Sequence, residues 1–215
     1  MTLSIRSAGP HGGRPVLTAG RALGKGEGAV ILLHGRGAGA DDILALAAAF
    51  ERPAFSYLAP DAAGRTWYPN RFLAPLESNE PWLSSALAAI DDLVRQVDEA
   101  GVPRERVFIG GFSQGACLSL EYAVRHPARY AGLIGLSGGL IGPPGTSWPD
   151  AGRLENVPVF LGCSDVDPHI PAARVRETAD VFRSRGANVT EVLYRGMGHT
   201  VNADELQHVQ AMLDA

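Results

Sequence analysis

The sequence predicts an α/β fold, a mostly parallel sheet with helices on both faces. Three observations lead there. Short apolar runs alternate with longer stretches of helical spacing along the chain, the pattern of strand–helix–strand units. The short runs are apolar at nearly every position, as in strands covered on both faces. A Gly-x-Ser-x-Gly sequence, Gly111-Phe112-Ser113-Gln114-Gly115, falls at the junction of one such run and the helical stretch after it.

Strands are expected at 29–33, 55–59, 106–110, 131–136, 157–161 and 189–194, with 15–23 as an antiparallel edge strand before them. The clearest helix is 81–100. Leu83, Leu87, Ile90, Val94 and Val97 form its apolar stripe, and Asp91, Asp92, Arg95 and Glu99 lie off it. Asn79 and Pro81 are suitable starting residues, and Gly101 and Pro103 stop it. Further helices are expected at 41–50, 114–125, 172–185 and 203–213. Two connections, 60–80 and 138–155, are long for such a fold. Both follow a strand's C-terminal end, where open α/β sheets bind ligands. Their aromatic residues, Trp67, Tyr68 and Phe72 in the first and Trp148 in the second, are therefore expected to line a pocket.

A chain of 215 residues without a repeat, a low-complexity tract or a linker fits a single domain over 1–215. A net charge of −4 gives no basic surface for nucleic acid or anionic lipid. No apolar run approaches the ~20 residues needed to span a bilayer. The first residues do not read as a signal peptide, and Cys117 and Cys163 read as buried, reduced thiols. A cytoplasmic protein is the resulting expectation. The oligomeric state stays open; a homodimer is compatible with it. No Cys/His spacing suggests a metal, and the glycine-rich stretch His34-Gly35-Arg36-Gly37-Ala38-Gly39 lacks the pattern of a phosphate loop. No cofactor is expected.

The glycine-flanked Ser113 sits where a sharp strand-to-helix turn would expose its hydroxyl at the start of a helix. A serine nucleophile needs a base, and the base needs an orienting carboxylate. His126 reads as a helix cap and His208 as a residue of a solvated helix face. His199, in Gly196-Met197-Gly198-His199, follows the last strand and is the candidate base. The acid belongs after strand 157–161, where Asp165 and Asp167 compete. Pro168 holds Asp167 extended, a slight argument in its favour. The backbone N–H groups of Gln114 and Arg36 are the candidate oxyanion donors.

Taken together, His34-Gly35-Arg36-Gly37, the Ser113 elbow, Asp165-Val166-Asp167-Pro168-His169-Ile170-Pro171 and Gly196-Met197-Gly198-His199 resemble the phospholipase/carboxylesterase family. That family of α/β-hydrolases includes acyl-protein thioesterases and small bacterial carboxylesterases. The stretch Trp67-Tyr68-Pro69-Asn70-Arg71-Phe72 is similar to the bacterial branch. The resemblance implies an α/β-hydrolase fold and assigns the acid to Asp167, the aspartate before proline; no insertion is large enough to be a cap domain, so none is expected. It implies a serine esterase acting on a small-molecule carboxylic ester. An acyl thioesterase or lysophospholipase is the alternative, and a non-catalytic binding module a remote one. Aromatic residues crowding the serine would favour short to medium acyl chains.

Overall fold

The computed structural model describes residues 3–148 and 151–215. Met1 and Thr2 of the N-terminal segment, and Pro149 and Asp150 of the second long loop, lie outside the described residues. Among the described residues, eight strands form one sheet: β1 (Leu3–Ser4), β2 (Pro15–Gly20), β3 (Ala29–Leu33), β4 (Ser56–Pro60), β5 (Val107–Phe112), β6 (Gly132–Leu136), β7 (Pro158–Ser164) and β8 (Asn188–Tyr194). Five α-helices accompany them among the described residues: α1 (Ala40–Ala48), α2 (Trp82–Glu99), α3 (Gln114–Arg125), α4 (Ala172–Ser184) and α5 (Ala203–Asp214).

The strand order is β1-β2-β4-β3-β5-β6-β7-β8, and every pair from β4 to β8 is parallel. The chain enters this parallel region at β3, steps to β4 on one side, then crosses to β5 on the other. The carboxyl ends of β3 and β5 therefore diverge at the topological switch point, where α/β sheets leave a crevice. The edge differs from expectation. Pro15–Gly20 pairs antiparallel with β4, but β1 pairs with it outside, so it is the second strand. Two residues are too few for β1 to show a sequence pattern.

Burial explains the apolar runs. Along β3, Ala29, Ile31 and Leu33 face the core under α2, α3 and α4, while Val30 and Leu32 face the core under α1 and α5. A strand alternates its side chains between faces, so a run buried on both must be apolar throughout. The stripe of α2 packs as expected, with Leu83, Ile90, Val94 and Val97 in the first core. Asn79 does not start that helix. It belongs to a 3-10 turn at Leu76–Asn79 and accepts the Asn70 N–H at 2.8 Å, bracing the preceding loop.

The N-terminal segment is folded into the body. His11 is fully buried; its Nδ1 accepts the Ala63 N–H at 3.1 Å and its Nε2–H donates to Trp67 O at 2.9 Å. His34 is likewise buried, with Nε2 accepting the Ala62 N–H at 3.1 Å and Nδ1–H facing Gly35 O at 2.8 Å. Burial lowers the pKa of both imidazoles, and both must be neutral to accept those N–H groups. The unfolded chain binds protons at both sites below about pH 6.5, where the native state does not. Their contribution is full above that pH and lost as pH falls through it. Measured by urea midpoints at pH 7.5 and 5.5, wild type is expected to lose stability relative to His11→Gln as pH drops. A constant difference between the two proteins would refute this.

Candidate active site

Ser113 lies at the corner between β5 and α3 with φ 56° and ψ −119°, a strained conformation for a residue with a side chain. Two glycines allow the corner. A Cβ on Gly111 would stand 2.4 Å from Leu33 O, and one on Gly115 would stand 2.1 Å from it. The first turn of α3 thus rests directly on the backbone of β3, and the serine hydroxyl is held above the sheet at the helix start.

His199 reaches this hydroxyl from the loop between β8 and α5. Its Nε2 is 2.8 Å from Ser113 Oγ, and its Nδ1 is 2.7 Å from Asp167 Oδ2. The ring lies against Phe112 on one side, with centroids 4.9 Å apart, and meets the edge of His169 at 4.8 Å. Asp167 follows β7, and its carboxylate is buried. Oδ1 accepts the N–H groups of His169 at 2.8 Å and Ile170 at 3.0 Å. Burial opposes its ionisation, but the bonds from His199 and the two backbone N–H groups outweigh that and hold the carboxyl below its usual range.

The two aspartates point in different directions. Asp165 is exposed and its Oδ1 accepts the Gly196 N–H at 2.8 Å, bracing the loop that carries His199. Ser164 and Glu205 brace the same loop. Ser164 Oγ donates to Met197 O, and Glu205, fully buried at the start of α5, accepts the Asn202 N–H at 2.8 Å. Desolvation raises the Glu205 pKa to about 7. Nothing in the sequence marks this glutamate except its place three residues after Asn202, a capping-box spacing.

A cleft of about 470 Å³ opens beside Ser113 and His199, and Arg36, Gln114, Tyr68 and Phe72 are among the residues that line it. Trp67 does not, which corrects its assignment to substrate binding. Its side chain is wholly buried between His11 and His34, and its indole N–H donates to His34 O at 2.9 Å. Trp67 supports the turn after β3 from beneath. Trp148 is also absent from the cleft; its indole N–H bonds Glu121 Oε2 at 3.0 Å and its ring packs under Arg174. In both cases a buried polar partner claims the indole N–H, and neither partner is near in sequence.

Arg36 and Gln114 share a second property. The Arg36 guanidinium donates to the carbonyls of Tyr68, Pro69 and Asn70 at 2.7–2.9 Å. The Gln114 side chain accepts the Trp67 N–H at 2.9 Å and donates to Tyr68 O at 2.8 Å. The side chains of the two candidate oxyanion residues therefore grip one loop, fixing it against the serine. Sequence reasoning missed the lining residues Asn70, Arg71, Cys117, His169 and Ile170. His169 and Ile170 directly follow the Asp167-Pro168 pair and were within reach of it.

This strand order, with a serine at the elbow and a histidine bridging it to a carboxylate, defines an α/β-hydrolase. A model of the phospholipase/carboxylesterase family matches residues 21–215, and the chain belongs to that family. A phospholipase/carboxylesterase structure from Dyadobacter fermentans DSM 18053 is 36% identical, with a TM-score of 0.89 over 94% of this chain and 97% of that one. The Bacillus cereus carboxylesterase shares the fold, with a TM-score of 0.70 at 20% identity over 94% of this chain and 93% of that one. Among curated proteins, acyl-protein thioesterase 1 of Neurospora crassa is 29% identical over 137 residues, 63% of this chain and 56% of that protein. The Gibberella zeae protein of the same name is 32% identical over 126 residues, 57% of this chain and 53% of that protein. The chain spans about half the length of these curated relatives.

Proposed function

We propose that the protein is a cofactor-free serine carboxylesterase acting on small esters with short to medium acyl chains. The observation that carries this reading is the single imidazole joining Ser113 Oγ to the Asp167 carboxylate. Ser113 attacks the ester carbonyl as His199 Nε2 takes its proton. Asp167 holds the Nδ1–H tautomer and stabilises the imidazolium. The N–H groups of Gln114 and Arg36 receive the developing oxyanion. The alcohol leaves with the proton from His199, and water cleaves the acyl-enzyme by the same route.

Chain length follows from space. Among the described residues no helix lies between β6 and β7 or forms a cap over the cleft. Phe72 and Ile170 give the cleft apolar walls, but the polar side chains of Arg36, Asn70, Arg71 and His169 interrupt them, so a lengthening acyl chain soon runs out of apolar contact. Each methylene adds about 0.8 kcal/mol only while it finds apolar contact. Across a series of p-nitrophenyl esters, kcat/KM is expected to peak between acetate and hexanoate. A peak at palmitate would favour the thioesterase or lysophospholipase reading, and failure of a fluorophosphonate to label Ser113 would refute the hydrolase reading. No helix is long and apolar enough to cross a membrane among the described residues. The two buried free thiols suit the cytoplasm, which we take as its compartment.

A further inference from the structure

The charge of the cleft is opposite to that of the chain. The protein carries −4 overall, yet among the described residues the cleft is lined by two guanidinium groups, Arg36 and Arg71, and by no aspartate or glutamate. The nearby Asp167 carboxylate offers no compensation to the cleft. It is buried behind His199, with both oxygens engaged. Arg36 spends its donors on three backbone carbonyls, which satisfy its N–H groups without neutralising its charge.

Arg71 differs from Arg36 in having no partner. Among the described residues its guanidinium makes no hydrogen bond or ion pair, although it is exposed at the cleft. Its backbone is held firmly. Arg71 O accepts the Ala74 N–H at 3.0 Å, and the preceding Asn70 is bonded through its N–H to Asn79 and through its side chain to Ser78 O. Phe72, on the other side, is buried. A braced turn therefore presents an unpaired cation at the mouth of the cleft.

A buried hydroxyl lies deeper. Tyr68 is 1% exposed, and among the described residues its hydroxyl has no nitrogen or oxygen partner, only the Cys117 thiol. That hydroxyl lies beside the thiol of Cys117, and both residues line the cleft. An apolar acyl chain would cover the Arg71 charge without compensating it. A carboxylate supplies acceptors and the missing negative charge together.

Resting on the esterase reading, we propose that the preferred substrate is an ester bearing a carboxylate, and that Arg71 is the residue that selects it. The test compares charged and neutral esters of matched length by pH-stat. Monoethyl glutarate against ethyl hexanoate places the charge on the acyl side; acetoxyacetate against propyl acetate places it on the alcohol side. Wild type is expected to favour the anion in kcat/KM by about 10-fold to 100-fold in one pair, the worth of a charge-assisted bond, and less so at high salt. Arg71→Met should bring that ratio close to one, Arg71→Lys should keep part of it, and Arg71→Glu should reverse it. A wild-type ratio of one or below in both pairs, or a ratio unmoved by Arg71→Met, overturns the proposal while neutral-ester turnover keeps the esterase reading intact. Loss of all ester turnover together with loss of fluorophosphonate labelling overturns both.

Discussion

Ser113→Ala is expected to lower ester turnover by at least about 10⁴-fold while leaving the fold unchanged. The serine hydroxyl is the group that His199 Nε2 contacts at 2.8 Å, and among the described residues no other hydroxyl bonds that nitrogen. Removing it leaves the oxyanion donors and the cleft in place, so only the modest catalysis those supply should survive. The corner itself is set by the close approach of Gly111 and Gly115 to Leu33, which alanine at 113 does not disturb. Circular dichroism and the urea midpoint should match wild type to within about 0.5 kcal/mol, as for a substitution that removes no buried packing. A folded variant retaining a tenth of wild-type turnover would refute the nucleophile assignment.

The second large effect separates the aspartates. Asp167→Asn should cost about 10⁴-fold in kcat with little change in KM, because an amide no longer holds the Nδ1–H tautomer or stabilises the imidazolium. Asp167 also accepts two backbone N–H groups through Oδ1, and the amide oxygen of asparagine can still do so. The variant should therefore fold. Asp165→Asn should stay within a few-fold of wild type, since the amide oxygen can accept the Gly196 N–H as the carboxylate does. Asp165→Ala, which loses that brace, should cost about 1 kcal/mol of stability. Steady-state kinetics on the two folded asparagine variants decides the matter. The opposite ranking would show that the short Asp167–His199 contact is structural.

Much of this site is legible in the chain before it folds, because its parts hang on local patterns. Ser113 is marked by glycines two positions to either side, whose requirement is steric and immediate. His199 is marked by its place between the last strand and the last helix, which any doubly wound sheet carries to one edge. The choice of acid was less local. Asp165 and Asp167 stand two residues apart in one turn, and Pro168 biases only the backbone before it. What separates them is the partner each side chain meets across the sheet edge: the Gly196 N–H for one, the His199 ring for the other. The family resemblance, rather than spacing, carried that assignment.

The sequence by itself determined the strand–helix alternation, the elbow and the histidine, since apolar periodicity and turn sterics act between residues a few positions apart. Only the tertiary structure decided what the aromatic and cationic side chains of the first long loop do. Trp67 and Tyr68 are neighbours of the same chemical type, yet one is locked between two buried histidines from residues 11 and 34 and the other lines the cleft. Arg36 and Arg71 are alike in sequence, yet one is consumed by three carbonyls and the other is left unpaired. These outcomes depend on hydrogen-bond partners 32 to 56 positions away, closed only when the sheet brings the ends of β3, β4 and β5 together. A side chain's polarity can be read from its letter, but its partner cannot, because burial and direction are set by the packed backbone.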